Sequence, residues 1–458
     1  MNRKQKGILL ALLFILAVIA DLIVKAEESK NTNYTQIDTY LSEATNDFHL
    51  PSLSIIIVDK EQVLFSACYG EGSSPDTPYI IGSMSKSFTA AAIMQLVEKG
   101  EVDLDAPVSR YLDDIACGDQ ITVRQLLNHT SGIDTYEKRK TVKITDSYGS
   151  YEYANVNYGL LGEIIESVTG QKYEQYMEEH IFTPLEMVHT SASMQKAKED
   201  GLIEGYRNYF GFPVAGEPDY PDENSWSQVP AGYISSSIND MGRYLQMYLN
   251  GGEGILEKSS IDQMFSDVVS ITDTDVTYGF GWESAVEYGE RVLAHAGLVE
   301  NYMSHMFLLP ERGIGVVMLI NTNDYLVTNS FTGQISGNVA LMLMGQSPIT
   351  ISSNAYKVRH ILIDAVYLIL LLIPATIVFR FKKFVLRCKD EELTLRKKIG
   401  FLFLHLLLPV TGLLVPRLFA ATPLWVVRYF VPDLFIVLIL FSGLLIILGV
   451  IRIMIWIK

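Results

Sequence analysis

The stretch TPYIIGSMSKSFTAAAIMQLVEKG, residues 77–100, places a short β-branched run directly before a long apolar segment. The apolar residues of its second half recur at helical spacing, and Gly100 provides a stop signal. The stretch therefore predicts a strand, a turn and a buried helix, in that order. Ser83 and Lys86 are three residues apart at the start of this helix, so both side chains lie on one face, about one turn apart.

This spacing allows an amine to reach a hydroxyl. A serine needs a base to become a nucleophile at neutral pH, and a lysine can serve when burial or a neighbouring cation lowers its pKa. The N-terminus of a helix also supplies free N–H groups that help to form an oxyanion hole. Ser83 and Lys86 are therefore candidate catalytic residues, although Ser-x-x-Lys by itself is a common chance pattern.

Strand patterns lie on both sides of this helix. Residues 52–59 and 62–68 predict a hairpin, and the late segments YGFGWES, ERVLAHAG, YMSHMFLLP and GIGVVMLIN predict a meander of four strands. Helical periods dominate residues 105–265. This order predicts one antiparallel sheet built from both ends of a domain, with helices inserted between them.

Charge divides the chain into two parts. Residues 27–355 hold 46 Asp and Glu against 18 Lys and Arg, a net charge of −28, whereas the remainder has a net charge of +12. Such an acidic region lacks the basic face that phosphate binding needs, so we expect no nucleic-acid partner. The acidity itself fits a solvated surface or, less simply, a preference for cationic substrates.

The ends of the chain are apolar. Residues 8–20 follow three basic residues, so residues 1–26 predict a signal peptide or an uncleaved signal anchor. Three later stretches, 361–379, 400–421 and 433–457, are long enough to span a bilayer as helices. We therefore divide the chain into residues 1–26, a domain over 27–355, and a membrane region of three helices over 356–458.

Basic residues set the expected orientation. The loop between the first two spans carries eight Lys and Arg residues and should be cytoplasmic, as should the basic N-terminus. The domain over 27–355 is then extracytoplasmic, and the protein is a multi-pass protein of the plasma membrane with the bilayer as a partner. Arg417, Arg428 and Arg452 can snorkel to the interface, and His405 favours a packing or helix-to-helix contact over a functional role.

The three cysteines, Cys68, Cys117 and Cys388, lie in no spacing typical of zinc. Cys68 and Cys117 could pair if the fold brings them together, or could be two buried free thiols. We expect no metal site and no cofactor.

Further blocks follow the stretch at Ser83 in one order: EVDLDAPVSRYL, ITVRQLLNHTSGI, YEYANVNYGLLGEIIESVTG, IFTPLEM, PAGYISSSINDMGRYLQMYLNGG, YGFGWE, HAG and LPERGIGVVMLINT. Together they resemble the serine β-lactamase and penicillin-binding-protein superfamily, in particular its class C β-lactamase and D-peptidase branch, over residues 50 to 325. The resemblance implies an α/β (α+β) β-lactamase-like fold, with an antiparallel sheet flanked by helices and a helical subdomain.

Two further motifs of that family match. Tyr153-Ala154-Asn155 matches its Tyr-x-Asn motif, which implies that Tyr153 exchanges protons with the serine and that Asn155 binds the lysine and the substrate amide. His295-Ala296-Gly297 matches the histidine variant of its Lys/His-x-Gly motif, with His295 in an electrostatic role. The resemblance also implies an oxyanion hole from the backbone N–H groups of Ser83 and Leu298.

Some positions depart from the family or have a simpler explanation. A histidine in the third motif is typical of esterases and peptidases, so efficient β-lactam hydrolysis is not expected. Asn301 stands where many relatives have glycine, which asparagine can replace because it tolerates left-handed backbone geometry. We expect His129 and His305 to be structural. Specificity is expected in the loops at 135–150 and 205–228.

The resemblance implies a peptidase that forms an acyl-enzyme on Ser83 and acts on peptides containing a D-residue. The layout also resembles prodrug-activating peptidases that remove an N-acyl-D-asparagine cap, and the membrane helices could then receive a lipidated substrate. D-alanyl-D-alanine carboxypeptidase activity is a related possibility. The alternatives are an esterase acting on cell-wall or small acyl esters, and a penicillin-binding sensor.

Overall fold

The computed structural model describes residues 34–218, 221–222, 225–388 and 394–457. The predicted signal segment, residues 1–26, lies outside them. The strands are β1 Ser52–Asp59, β2 Val63–Gly70, β3 Tyr79–Ile80, β4 Gly205–Tyr209, β5 Phe212–Gly216, β6 Ser235–Ser236, β7 Val268–Ser270, β8 Thr277–Gly279, β9 Trp282–Glu287, β10 Glu290–Leu298, β11 Met303–Leu309, β12 Ile314–Ile320 and β13 Thr322–Asn323.

The helices alternate with these strands and then continue alone to the end of the chain. They are α1 34–47, α2 Ser85–Glu98, α3 Val123–Leu127, α4 Asn155–Thr169, α5 Tyr173–Met177, α6 Met194–Glu199, α7 Val229–Gly232, α8 Ile238–Leu249, α9 Lys258–Ser266, α10 Thr328–Leu343, α11 Ser353–Phe379, α12 Phe381–Cys388, α13 Leu395–Leu402, α14 Leu408–Ala420, α15 Leu424–Phe430 and α16 Pro432–Ile457.

Eight strands form one antiparallel sheet in the order β2-β1-β12-β11-β10-β9-β8-β7. β1 lies between β2 and β12, with pairs running from Leu53↔Ile320 to Asp59↔Ile314. The first strands of the domain therefore lie beside its last strands. This confirms the predicted sheet built from both ends.

Each face of the sheet carries its own apolar core. Ile55 and Ile57 of β1 pack with α1 and α10, whereas Ile56 and Val58 belong to the core that contains α2 and α8. This alternation follows the two-residue period of a strand. β1 is apolar almost throughout because both of its faces are covered.

The meander of late strands has more strands than predicted at its first end. The segment YGFGWES is divided between β8 and β9 by a turn at Phe280 and Gly281, where Gly281 has φ +84°. Glycine adopts this backbone conformation without a steric cost. The sheet also gains an edge strand, β7, which the sequence pattern did not predict.

Cys68 and Cys117 are both free thiols, so the alternative of a disulfide between them is wrong. Cys68 lies on β2 and is half-buried, whereas Cys117 is buried in the helical region. The pKa of each thiol is raised by burial. Buried thiols of this kind behave as small apolar side chains.

The C-terminal part contains three helices that are long and apolar enough to cross a membrane: Ser353–Phe379, Leu395–Ala420 and Pro432–Trp456. The second of them comprises α13, a π-helical turn and α14. Many of their large apolar side chains are exposed, and in α11 only Tyr356, Tyr367, Pro374 and Ile377 are buried. Surfaces of this kind are compatible with anchoring in hydrocarbon.

The membrane-length helices agree with the predicted spans, but the first begins earlier, at Ser353. The predicted domain boundary between residues 355 and 356 therefore falls inside the first turn of α11. The Nδ1 atom of His405 lies 2.7 Å from Leu445 O on the neighbouring helix, which is the helix-to-helix contact expected for it. The orientation across the bilayer stays a prediction.

Candidate active site

Ser83 lies in a tight turn between the short strand β3 and helix α2. Residues Gly82–Met84 form a 3₁₀ turn, and α2 begins at Ser85. The Ser85 hydroxyl donates to Gly82 O at 2.7 Å and accepts from Ile234 N at 3.1 Å, which ties the turn to the strand region near β6. The turn therefore holds Ser83 at the N-terminal end of a buried helix, as predicted.

Lys86 is fully buried in the first turn of α2. Its Nζ atom lies 3.0 Å from Ser83 Oγ, 2.7 Å from Asn155 Oδ1 and 2.6 Å from Ala231 O. Burial lowers the pKa of the Lys86 amine well below its usual value, because the charged form loses its hydration. The predicted contact between Ser83, Lys86 and Asn155 is therefore present.

The three oxygen atoms around Lys86 can accept from an ammonium group, and two of them are enough for a neutral amine. Asn155 Oδ1 and Ala231 O can only accept hydrogen bonds, so they take the two N–H groups of such an amine. The lone pair of the nitrogen then faces the Ser83 hydroxyl, which can donate its proton. This arrangement can deprotonate the serine directly.

Tyr153 completes the group. Its hydroxyl is hydrogen-bonded to Ser83, and Lys86 Nζ lies 4.7 Å from the centre of its ring. Burial raises the pKa of the Tyr153 phenol well above its usual value, while the hydrogen bond to Ser83 acts in the opposite direction. The low dielectric thus shifts both groups towards their neutral forms.

Asn155 is the first residue of α4, immediately after an extended Ala154. Its position at the start of a helix directs it towards Lys86, to which it is bound through Oδ1. Tyr153 lies just before this helix, so one helix start supplies two residues of the site. The spacing Tyr-x-Asn across the start of α4 explains why both reach Ser83.

β10 approaches the turn of Ser83 at two glycines. A Cβ atom on Gly82, which has φ +56°, would lie 2.4 Å from Leu298 N, and one on Gly297 would lie 2.1 Å from Ile81 O. No other residue could occupy these positions without moving the backbone. The two glycines therefore bring the Leu298 N–H group beside the Ser83 turn.

The Leu298 N–H group points away from the neighbouring strand β11. Val299 N donates to Tyr302 O at 3.0 Å, and hydrogen bonds alternate along an antiparallel pair, so Leu298 has the opposite direction. On that side, within the described chain, β9 pairs with β10 only as far as Ala294↔Glu283. The end of β10 beside Ser83 is thus an open edge on which an extended peptide can form backbone hydrogen bonds.

His295 is buried on β10, and both of its nitrogens are occupied. Nδ1 lies 2.6 Å from Ala296 O, and Nε2 lies 3.4 Å from the Tyr278 hydroxyl. Since a carbonyl oxygen can only accept, the ring carries its proton on Nδ1 and accepts from Tyr278 on Nε2. Burial, with a smaller contribution from Lys86, lowers the pKa of His295 to about 3.

His295 is therefore a neutral imidazole at physiological pH and cannot supply the positive charge that a lysine would supply there. Its ring centre lies 6.5 Å from that of Tyr153, so it borders the group around Ser83. The predicted site residues thus converge, but the electrostatic role expected for His295 has to arise from a neutral ring.

Tyr278 is a site residue that the sequence did not reveal. It is fully buried, and its ring contacts His129 and Tyr153 besides its hydrogen bond to His295. The block YGFGWE contains Tyr278 and contributed to the resemblance, but its pattern gave no reason to place the tyrosine against the third motif. Only the turn between β8 and β9 brings it there.

His129 lies beneath Tyr153. Its Nδ1 atom accepts from Ala154 N at 3.2 Å and from Asn157 Nδ2 at 3.0 Å, and its ring centre lies 4.4 Å from that of Tyr153. Burial lowers the pKa of His129 well below its usual value. These contacts agree with the structural role expected for His129, in this case support for Tyr153.

His305 and Asn301, the other two positions for which the sequence suggested a structural explanation, lie outside the group around Ser83. His305 lies on β11 and pairs with Ala296 of β10. Its side chain is on the face of the sheet opposite Ser83, as expected for a structural residue. Asn301 does not have the left-handed geometry that we expected, since its φ is not positive. Its side chain instead binds Arg207 and Gly216 of the β4–β5 hairpin.

Among the described residues, no group of three or more His, Cys, Asp or Glu side chains is placed to hold a metal ion. The polar groups around Ser83 are an amine, a phenol, an amide and backbone N–H groups. These groups can bind and transfer protons and can stabilise an oxyanion. That no cofactor takes part remains an expectation.

Comparisons with known proteins agree with the fold. A sequence model of the beta-lactamase family matches residues 37–331. Protein flp of Staphylococcus aureus strain MW2 is 30% identical over 332 residues, which cover 65% of this chain and 65% of the relative. Beta-lactamase-like protein 2 of Dictyostelium discoideum is 26% identical and covers 69% of this chain and 66% of its own length.

Two solved structures are similar. The octameric penicillin-binding protein homologue from Pyrococcus abyssi is 28% identical, with a TM-score of 0.61, over 69% of this chain and 78% of that one. The D-stereospecific amidohydrolase from Streptomyces sp. is 24% identical, with a TM-score of 0.52, over 63% of this chain and 94% of that one, and shows the fold alone.

The fold is that of the β-lactamase and penicillin-binding-protein superfamily, whose members are generally hydrolases. Within it, the chain belongs to the beta-lactamase family. The match to protein flp covers just under two thirds of that relative. The C-terminal membrane-length helices lie beyond the region that the family model matches.

Proposed function

We propose that this protein is a membrane-anchored serine hydrolase that forms an acyl-enzyme on Ser83. The observation that carries the proposal is the 3.0 Å distance between Ser83 Oγ and Lys86 Nζ, with the other contacts of the amine made to acceptor oxygens. This geometry provides a nucleophile and its base in one buried turn of helix.

The first step transfers the Ser83 proton to Lys86 while Oγ attacks the carbonyl carbon of the substrate. The resulting oxyanion accepts hydrogen bonds from the N–H groups of Ser83 and Leu298. When the intermediate collapses, Tyr153 donates its proton to the leaving nitrogen or oxygen, and Lys86 returns a proton to Tyr153. The serine ester remains, and both proton carriers are neutral again.

Water completes the reaction. It gives a proton to the same Lys86–Tyr153 pair, attacks the ester, and releases the acid product as the proton returns to Ser83 Oγ. Asn155 stays bound to Lys86 and can also bind the substrate amide, which aligns the acyl group. The net reaction is hydrolysis of one amide or ester bond.

The substrate that we propose is a peptide containing a D-residue, bound along the open edge of β10. The similarity to a penicillin-binding protein homologue supports penicillin as a probe of this site. Because His295 is neutral, it offers no cation for the free carboxylate of a peptide end. We therefore favour a blocked or internal amide over a D-alanyl-D-alanine terminus.

An ester substrate is the second candidate, because the neutral His295 suits an acyl group without a charge. The same nucleophile, base and oxyanion hole would serve. A role as a penicillin-binding sensor is a weaker alternative, since the groups needed for turnover all converge at Ser83. We further propose that the catalytic domain lies outside the cytoplasm.

Intact-mass measurement on the full chain in detergent tests the function. Wild type and Ser83→Ala are exposed separately to a fluorescent penicillin, an N-acyl-D-asparaginyl peptide, a D-alanyl-D-alanine peptide and an aryl ester. We expect an adduct or turnover that requires Ser83, with the blocked D-peptide preferred to the D-alanyl-D-alanine peptide. If wild type and Ser83→Ala are equally inert towards all four, the hydrolase proposal is wrong.

A further inference from the structure

The short helix α15 lies between the second and third membrane-length helices and contacts a loop next to Tyr153. The ring of Trp425 lies 6.2 Å from that of Tyr136, and Lys138 Nζ lies 5.4 Å from the centre of the Trp425 ring. In the same loop, the Thr135 hydroxyl donates to Glu152 Oε1 at 3.0 Å. Glu152 directly precedes Tyr153, so a short chain of contacts joins Trp425 to the catalytic phenol.

A second loop links α15 to Lys86. The ring of Trp226 lies 5.7 Å from that of Trp425 and 6.3 Å from that of Phe430. Trp226 is followed by α7, whose Ala231 carbonyl accepts the hydrogen bond from Lys86 Nζ at 2.6 Å. The carbonyl that holds the amine is thus carried by a segment that packs on α15.

A third link runs from the start of α16 to the oxyanion hole. At the tip of the β4–β5 hairpin, Phe210 N donates to Asp433 Oδ2 at 3.3 Å. In the middle of β4, Arg207 Nε donates to Asn301 Oδ1 at 2.8 Å. Asn301 lies in the turn that directly follows β10 and its Leu298 N–H group.

The three links end at three different functional groups: the phenol, the amine and an oxyanion donor. We propose that α15 and the start of α16 position the active site, with Trp425 as the central positioning residue. Activity then depends on the membrane region and not on the catalytic domain alone. This inference rests on the proposed function of Ser83.

The physical reason is the sensitivity of such sites to small displacements. Misplacement of a catalytic group by about 1 Å can cost about 100-fold in rate. The loops at 134–138 and 225–228 carry few regular backbone hydrogen bonds of their own, so the aromatic contacts with Trp425 restrict their movement. Aromatic pairs of this kind contribute beyond the area that they bury.

The test compares Trp425→Ala with Trp425→Phe and Trp456→Ala in the full chain, in detergent micelles. Trp456 is the matched control because it belongs to the same membrane region but packs on Phe384 and Phe401, at the other end of α16. The rate of Ser83 labelling by fluorescent penicillin and the hydrogen exchange of peptides covering 134–138, 226–232 and 52–59 are measured for each variant.

We expect Trp425→Ala to lower the labelling rate by about tenfold and to increase exchange at 134–138 and 226–232, but not in β1. Trp425→Phe should restore most of the rate, and Trp456→Ala should leave both readouts unchanged. A thermal midpoint for Trp425→Ala close to that of wild type separates positioning from general loss of stability.

Unchanged exchange in both loops of Trp425→Ala overturns the inference, whatever the labelling shows. An equal loss of labelling in Trp456→Ala also overturns it, because the effect would then be general. If wild type itself is not labelled or turned over, the function proposed for Ser83 is wrong. Increased exchange limited to the two loops would in that case still establish the link to α15.

Discussion

The helix side and the strand side of the site each bury a basic residue, and the two residues differ in what they can do. On α2, Lys86 Nζ faces the Ser83 hydroxyl at 3.0 Å. On β10, both nitrogens of His295 are occupied, by Ala296 O and by the Tyr278 hydroxyl. Burial lowers the pKa of both residues, and the pKa of about 3 makes His295 neutral at physiological pH.

The difference shows that a perturbed pKa alone does not identify a base. A base also needs a free lone pair directed at the proton that it removes. Lys86 meets this condition because its other partners only accept hydrogen bonds, whereas the acceptor atom of His295 is used by Tyr278. We therefore assign proton transfer to Lys86 on the helix side. His295 on the strand side contributes to the shape and polarity of the site.

The largest expected effect tests the helix side. Lys86→Met should lower kcat by about 10⁶-fold, as removal of the base of a nucleophile does in other serine enzymes. Methionine fills a similar apolar volume, so the fold should be retained. The measurement is turnover of the preferred substrate, with a thermal midpoint recorded on the same sample.

Tyr153→Phe is the matched variant, since it removes one hydroxyl from the same group. A smaller loss of kcat than in Lys86→Met is expected, about 100-fold, because the amine would remain beside Ser83. If Tyr153→Phe lowers kcat more than Lys86→Met does, the phenol of Tyr153 and not the amine of Lys86 is the base.

A second prediction tests the contact between the two sides. Gly297→Ala should destabilise the protein by about 3 kcal/mol, because its Cβ would meet Ile81 O at 2.1 Å. For a domain of this size, that corresponds to a lower thermal midpoint by about 8 °C. Ser83 labelling should also slow, since β10 has to move away from the Gly82 turn.

Gly333→Ala is the control for Gly297→Ala. Gly333 lies within α10, and a Cβ there would have no neighbour within 4 Å. Alanine should be neutral or stabilising by up to about 1 kcal/mol at this position. Equal behaviour of the two variants would mean that β10 and the Ser83 turn are not in close contact.

The smallest expected effect concerns the protonation of His295. Its pKa is about 3 in the folded protein and about 6.5 in an unfolded chain. Between these values only the unfolded state takes up the proton, so the contribution of His295 to stability is complete above pH 6.5 and falls as the pH decreases. From pH 7 to pH 5 the loss amounts to about 2 kcal/mol.

His295→Asn removes this contribution while His129 and His305 remain. The thermal midpoint of wild type should therefore decrease between pH 7 and pH 5 by about 4 °C more than that of the variant. A decrease of equal size in both proteins would show that His295 is not buried as a neutral ring.

Much of the site could be predicted from the sequence, but the reason differs between its residues. Ser83 and Lys86 lie one helical turn apart, so their contact follows from local geometry. Tyr153 and His295 lie far from them in the chain, and their assignment came from the resemblance to a family. The roles of all of these residues remain predictions, but their convergence is now described.

Other features were not predictable because they depend on contacts between distant segments. Tyr278 binds His295 only after the β8–β9 turn places it there. Asn301 was expected in a left-handed backbone and instead anchors a hairpin. The sequence analysis did not single out Trp425, yet its ring packs on Tyr136 and Trp226, in two loops of the domain that precedes the membrane-length helices.

The sequence by itself determined the order of strands and helices, the three membrane-length helices and the serine–lysine pair, because each depends on periodicity or spacing within a short segment. The tertiary structure decided the lowered pKa values of Lys86 and His295, the free state of Cys68 and Cys117, and the contact of α15 with the loops near Tyr153 and α7. Burial and long-range packing fix these properties, and neither is visible in a local pattern.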